Sequence, residues 1–307
     1  MIITFVLLFF MILFCLLYEN YKTYNQTYNQ TYNHIKNDTN KPYLFTYWEL
    51  KKNVTRRPGY INLCFETIKK NGNLFNVQIL DDKSVLKFLP NLRKDINLLP
   101  LALKADYIRV CLLYYYGGMW LDADVIMMSD MHQVIDLLNN GEDFIGFGCT
   151  GKHCTYGYGE PSNWAMASKK EGILMKCCMD ELNKKLDEYY TQNSEERKEF
   201  NYFELGKFII WSQLKLLQKT QYKYYHFPSN VDGTRDNQNN WIAPDVIFEK
   251  DFDIDLDKLM IMVLANSYYC NKKQEYNKYN WFCGLSEDQV MKGNYFISKV
   301  FNKVLRS

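Results

Sequence analysis

Proline is scarce in this chain, seven in 307 residues, and from Pro42 onward no stretch rich in proline, glycine or serine interrupts it. Domain boundaries fall in such stretches, so one continuous domain is expected over residues 42–307. No repeat on the scale of a structural module is present, which excludes a solenoid or a propeller. An excess of positive charge is missing too: 37 Lys and Arg stand against 35 Asp and Glu, and no basic run collects into a patch. That balance argues against a polyanion-binding surface and excludes nucleic acid as an expected partner. The nine cysteines show no paired C-x-x-C spacing, so no zinc site is expected. Histidine is rare, and His153 and His226 stand alone and receive no role.

What the chain does have is apolar bulk, 47% hydrophobic against 23% charged residues, enough for a large core. Its 25 Tyr and 19 Phe accompany abundant Asn, Lys and Ile, the bias of a low-GC genome, so a single exposed Tyr or Asn carries little weight.

Residues Ile2 to Tyr18 form an uncharged apolar run of about 25 Å as a helix, close to the minimum for a membrane span. A cleaved signal peptide has a shorter apolar region and a small-x-small site, which LLYENYK lacks. Residues 1–18 are therefore expected to be an N-terminal transmembrane signal-anchor, and residues 19–41, with a Tyr-Asn-Gln-Thr repeat and no periodicity, a flexible stem. A single-pass type II protein facing the lumen of the endoplasmic reticulum or Golgi is the expected topology, with the reverse orientation left open because no Lys or Arg precedes the run and Lys22 follows it. Asn25, Asn29, Asn37 and Asn53 each open an Asn-x-Thr sequon, and Cys149 with Cys154 and Cys270 with Cys283 are spaced to close loops in such a lumen. Cys64 and Cys111, among apolar neighbours, read as buried free thiols.

Hydrophobic periodicity then predicts strands at 43–48 and 76–80 around a helix at 61–71, a β-α-β order that implies an α/β fold with a sheet covered by helices. A short helix at 84–90 stops at Pro90, and a longer one at 101–116 ends at Gly117-Gly118. Strands follow at MWLDADVIMM (119–128), DFIGFG (143–148) and NWAMAS (163–168), with helices at about 169–190 and 199–218.

Candidate chemistry begins at Asp122-Ala-Asp124. Two carboxylates two apart on an extended segment share a face and converge on one ligand or one hard divalent ion, Mg²⁺ or Mn²⁺. The pattern alone is weak: DFDIDLD, with Asp251, Asp253, Asp255 and Asp257, contains three more such pairs and reads as a solvated stretch. Asp122 and Asp124 differ because they follow Trp120-Leu121, where a buried strand emerges at the edge that open α/β sheets use for ligands. In the preceding helix Asp106 and Arg109 lie three apart on one face, either as a salt bridge or as part of the same polar site. A carboxylate accepts from sugar hydroxyls and a guanidinium offers a fork of donors.

The run LALKADYIRVCLLYYYGGMWLDADV resembles the signature of glycosyltransferase family 32 and the related capsular polysaccharide synthesis proteins: an Ala-x-Asp-x-x-Arg helix, a Tyr-Gly-Gly turn and an Asp-x-Asp motif. The likeness extends to YWELKKNVTRRPGYINLCFETIKKN, to FIGFG with NWAMAS, and more faintly to VLANSYYC, covering most of residues 43–270. It implies a GT-A-like, Rossmann-type fold, a nucleotide-sugar donor, a divalent cation, usually Mn²⁺, and retention of anomeric configuration. Carried over by position, Asp106 and Arg109 hold the donor sugar, Asp122 contacts sugar or ribose hydroxyls and, with Asp124, the metal, and Tyr47 or Trp48 packs on the base. The late loop that completes the family's metal site corresponds to Asn266-Ser267. Gly206-Lys207 departs from the Gly-Pro of related mannosyltransferases, on the acceptor side. The reading implied is a membrane-tethered transferase acting on a glycan, glycoprotein or glycolipid acceptor. Its alternatives are a noncatalytic carbohydrate-binding protein and a metal-dependent nucleotidyltransferase or phosphohydrolase.

Overall fold

A computed structural model describes residues 40–51, 53–149, 160–193, 195, 197–242, 247, 251–264 and 279–306. The expected anchor and nearly all of the stem, three of the four sequons, His153, Cys154, Cys270, Asn266 and Ser267 lie outside the described residues. Among those described, no helix is long and apolar enough to cross a membrane. Cys149 and Cys283 are each disulfide-bonded, and Cys64 and Cys111 are buried free thiols as expected.

The strands are β1 (Tyr43–Tyr47), β2 (Asn76–Leu80), β3 (Gly118–Leu121), β4 (Val125–Met127), β5 (Phe144–Cys149), β6 (Glu160–Ser168), β7 (Tyr225–His226) and β8 (Ile261–Val263). The helices are α1 (Gly59–Asn71), α2 (Val85–Phe88), α3 (Leu101–Tyr116), α4 (His132–Asn139), α5 (Ile173–Thr191), α6 (Lys207–Gln218), α7 (Glu287–Lys292) and α8 (Phe296–Arg306). Six strands form one sheet in the order β2-β1-β3-β6-β5-β7, with β6 antiparallel to its neighbours, and β4 pairs with β8 in a separate two-stranded sheet. The α/β class with helices over both faces is thus confirmed, as a mixed sheet.

Alternation along the strands splits the core. Tyr43, Phe45, Tyr47, Trp120, Phe144 and Met166 point to the side covered by α3, α5 and α6, whereas Leu44, Met119, Leu121, Ile145, Ala165 and Ala167 point to the side covered by α1, α7 and α8. Helix α3 is buried almost all round, which explains why it is apolar on every face and why its two charged residues in mid-helix stand out.

Two predicted elements are corrected. The run 119–128 is not one strand: β3 belongs to the main sheet, β4 to the small one, and Val125 N donates to the Asp122 carbonyl across a turn between them. Asp122 and Asp124 therefore sit on a turn, not on an extended segment, because the chain changes sheet there. Likewise the helix predicted from 199 begins only at Lys207. Residues 201–204 form a turn in which Asn201 N donates to the Glu204 carboxylate and Phe203 N to the Asn201 side chain.

At the α3–β3 junction Gly118 has φ of 91°, and a Cβ there would lie 2.1 Å from the Tyr43 carbonyl oxygen on β1. Only glycine allows both that backbone conformation and that approach. Gly118→Ala is therefore expected to destabilise the protein by about 3 kcal/mol or more. Urea denaturation reads this directly, and a midpoint within error of wild type would refute it.

Candidate active site

Strands β2, β1 and β3 are parallel, so their carboxyl ends share one edge of the sheet. The chain order reverses around β1, making the β1/β3 gap a topological switch point, where open sheets hold ligands. With Phe45 opposite Trp120, the same register brings Tyr47 level with Asp122. The register thus sets the predicted aromatic and acidic residues side by side at the carboxyl edge of the sheet.

Arg109 organises the floor. Its Nη2 lies 3.2 Å from Asp106 Oδ1 and 3.1 Å from Asp122 Oδ1. Its Nη1 donates to the Asn163 carbonyl, its Nε donates to the Ala105 carbonyl at 3.4 Å, and its guanidinium lies 5.1 Å from the centre of the Trp120 ring. The Trp120 indole donates to Asp122 Oδ1 at 2.7 Å, and Asn163 Nδ2 to Asp106 Oδ1 at 2.7 Å. The salt bridge and the shared polar site are therefore the same network. Asp106 and Arg109 are buried, while the Asp122 side chain is 28% exposed.

One guanidinium faces two carboxylates, so full ionisation leaves an excess negative charge in a desolvated place. Burial pushes the Asp106 carboxyl up to about 7, with the pull of Arg109 opposing, the Asp122 charge adding to the rise and the Asn163 hydrogen bond opposing. Asp122 shifts in the same direction by desolvation, opposed by Arg109 and the Trp120 indole, and water at its open side tempers the effect.

Asp124, part-exposed, follows on the turn, and its carbonyl accepts from Leu264 N at 2.9 Å, just beyond β8. Asn266 and Ser267 come two and three residues later in the sequence. Among the described residues no group of three or more His, Cys, Asp or Glu is arranged to hold a metal ion.

Tyr47 and Trp48 part company. The Tyr47 ring is in the core, and its hydroxyl donates to Glu49 Oε2 at 2.6 Å, the same oxygen that pairs with the buried Lys104 ammonium at 2.6 Å. Trp48 is part-exposed, and its indole N–H has no hydrogen-bond partner among the described residues. Of the two, Trp48 offers an aromatic surface at the edge.

Sequence reasoning passed over Asn163 and Tyr202, and singled out Gly206 only with Lys207, as a departure from related mannosyltransferases on the acceptor side. A Cβ on Gly206 would lie 2.3 Å from Asn163 Nδ2 and 2.5 Å from Asp106 Oδ2, so glycine lets the start of α6 close against the network. Tyr202 is 57% exposed, yet its hydroxyl end sits near the acidic floor. Local burial, with Asp122, Asp124 and Asp106 reinforcing it, pushes the phenol up to about 12. The one signal for Asn163 was a polar residue opening an otherwise small and apolar strand. His226 is half-buried with its ring nitrogens shielded from solvent, and desolvation lowers its pKa to about 4. The acidic stretch is solvated, as expected, with Asp251, Asp253 and Asp257 exposed, and it forms surface ion pairs: Asp251 with Lys299, Asp255 with Lys258 and Asp257 with Lys303.

A buried Arg-carboxylate network at the switch point of an α/β sheet, with a further carboxylate on the emerging turn, defines a ligand-binding enzyme-like site. The chain belongs to the capsular polysaccharide synthesis protein family, whose model matches residues 11–232. No curated protein matches it in sequence. Among solved structures it is similar to the PaToxG glycosyltransferase, at 16% identity and a TM-score of 0.39, over 65% of this chain and 77% of that one. It is also similar to the apo glycosyltransferase GlyE of Streptococcus pneumoniae TIGR4, at 11% identity and a TM-score of 0.40, over 86% of this chain and 63% of that one. A third likeness is to a glycosyltransferase involved in glycosylation of the major capsid of PBCV-1, at 9% identity and a TM-score of 0.38, over 73% and 94%.

A carboxyl whose folded pKa lies near 7, above the ordinary 3.8, favours the folded state below pH about 4 and loses that contribution as pH rises toward 7. Asp106→Asn removes this loss. Its stability relative to wild type is expected to rise between pH about 4 and about 7 and to level off above that, read as a growing gap in urea midpoints. A gap that stays flat across that range would show that Asp106 titrates normally.

Proposed function

We propose that this chain is a glycosyltransferase that moves a sugar from a nucleotide-sugar donor to a hydroxyl of a glycan, glycoprotein or glycolipid acceptor. The observation that carries the reading is the Asp106–Arg109–Asp122 network, held at the carboxyl edge of the sheet with one face open to the crevice. In this reading Asp122, through its exposed side, accepts from sugar or ribose hydroxyls, the buried Asp106 and Arg109 hold it in place, and Trp48 packs on the base.

A divalent cation, Mn²⁺ or Mg²⁺, fits this reading. Asp124 and the open side of Asp122 supply hard oxygen donors, Leu264 is held against the Asp124 carbonyl, and the oxygens of Asn266 and Ser267 complete the proposed set. When bound, such a cation supplies charge neutralisation for a departing nucleoside diphosphate.

The oxygens of Asp106 and Asp122 that face Arg109, Asn163 and Trp120 are committed to hydrogen bonds. A nucleophilic carboxylate is therefore not favoured, and retention by front-face attack, with the departing phosphate taking the acceptor proton, is the mechanism we adopt. The apolar run at residues 2–18 supports a membrane tether, and the Asn-x-Thr sequons support a lumenal domain. Asn53 is exposed on a turn, which supports the same reading.

Incubation with UDP- and GDP-sugars plus Mn²⁺ separates the classes: a new glycosidic bond supports transfer, phosphate-bond cleavage alone a phosphohydrolase, and neither a binding protein. Asp124→Asn is expected to lower transfer at least about a hundredfold and to abolish metal-dependent donor binding. Its stability is expected to remain within about 0.5 kcal/mol of wild type, since the side chain is part-exposed. Full activity in that variant would reject the metal assignment.

A further inference from the structure

A cluster of aromatic rings stands at the start of α6 that neither the core nor the network accounts for. Tyr202, Phe203 and Phe208 are 57%, 41% and 44% exposed, an unusual concentration on one surface. The rings meet at angles and do not stack: Tyr202 and Phe203 are inclined by 87°, Phe203 and Phe208 by 48°, and Phe208 and Trp211 by 46°. Tilted and edge-on contacts leave more of each ring's surface exposed than parallel stacking does. The Lys207 ammonium lies 4.4 Å from the Phe203 ring centre and 4.5 Å from that of Trp211, which places a hydrogen-bond donor among the rings.

Two contacts tie this cluster to the site. The Trp211 indole donates to the Pro161 carbonyl on β6 at 2.9 Å, two residues before the Asn163 that holds Asp106 and Arg109. Gly206, next to Lys207, packs directly on Asp106 and Asn163. Since β3 lies between β1 and β6, the carboxylates separate this cluster from Trp48. One side of the acidic floor thus ends in the β1/β3 crevice, and the other ends in the aromatic rings.

We propose that Tyr202, Phe203 and Phe208, with Lys207, form the acceptor platform, which holds a pyranose ring of the acceptor glycan against their faces. The C–H bonds on one face of a pyranose carry partial positive charge and seat on the negative face of an aromatic ring, while the ring hydroxyls need nearby polar groups. Tyr202 hydroxyl and Lys207 supply those groups. The proposal rests on the transferase reading and gives that site a second substrate-binding half.

Saturation-transfer NMR and tryptophan fluorescence with methyl mono- and diglycosides of glucose, galactose, mannose and N-acetylglucosamine test it without turnover, with glucitol as an acyclic control. Wild type is expected to bind at least one pyranoside in preference to glucitol. Tyr202→Ala and Phe208→Ala, both at exposed positions and checked for a wild-type melting transition, are each expected to weaken that binding at least tenfold. Binding of none of the glycosides, or equal binding by wild type and both variants, would overturn the platform. Loss of UDP or GDP binding with pyranoside binding intact would assign the rings to the donor base and overturn it as well. Because these readouts need no donor, a protein that binds pyranosides through these rings but cleaves no nucleotide sugar would refute the transferase reading and leave the platform standing.

Discussion

The site depends on a single buried cation. Arg109 comes from the middle of an apolar helix, lies over the Trp120 ring and faces two carboxylates and a main-chain carbonyl from three different elements. A guanidinium suits this place because its donors form a planar fork and its charge persists at any physiological pH. Each neighbour gains an orientation it would not hold alone. Removing the charge would leave the buried Asp106 and the part-exposed Asp122 without their shared donor, a state that costs several kcal/mol.

The fold delivers those neighbours through ordinary means. Parallel β2, β1 and β3 bring three carboxyl ends to one edge, and the reversal at β1 opens the crevice. The double glycine after α3 lets β3 start against β1, so that Trp120, Asp122 and the helix carrying Arg109 meet within a few residues of sequence. Antiparallel β6 then brings Asn163 alongside from a remote part of the chain. Local sequence builds one wall, and sheet topology adds the other.

This division explains how much could be read in advance. Helix α3 and strand β2 have the bounds their patterns predict, because each has clear stops: Pro100 before and Gly117 after the helix, and Asp81 after the strand. Asp106, Arg109 and Asp122 were legible since they lie close in sequence and interrupt apolar elements. The turn at Asp122–Asp124 was hidden, because a strand that changes sheet keeps its apolar alternation on both sides of the break. The contacts of Asn163 and Gly206 were hidden although both segments had been singled out: their roles come from approach across β6 and α6, which a local pattern does not show. Tyr47 shows the converse limit, since position on a strand end did not reveal that its ring turns into the core and its hydroxyl to Glu49.

The central claim is that Arg109 acts through its fork of donors and not merely through its charge. Arg109→Lys tests this most directly, by sugar transfer from the preferred nucleotide sugar in a protein whose cooperative melting is verified first. The account predicts a folded variant that loses at least about a hundredfold in transfer, because an ammonium cannot hold Asp106, Asp122 and the Asn163 carbonyl at once. A folded lysine variant that transfers within about threefold of wild type, an effect of less than about 1 kcal/mol, would contradict it.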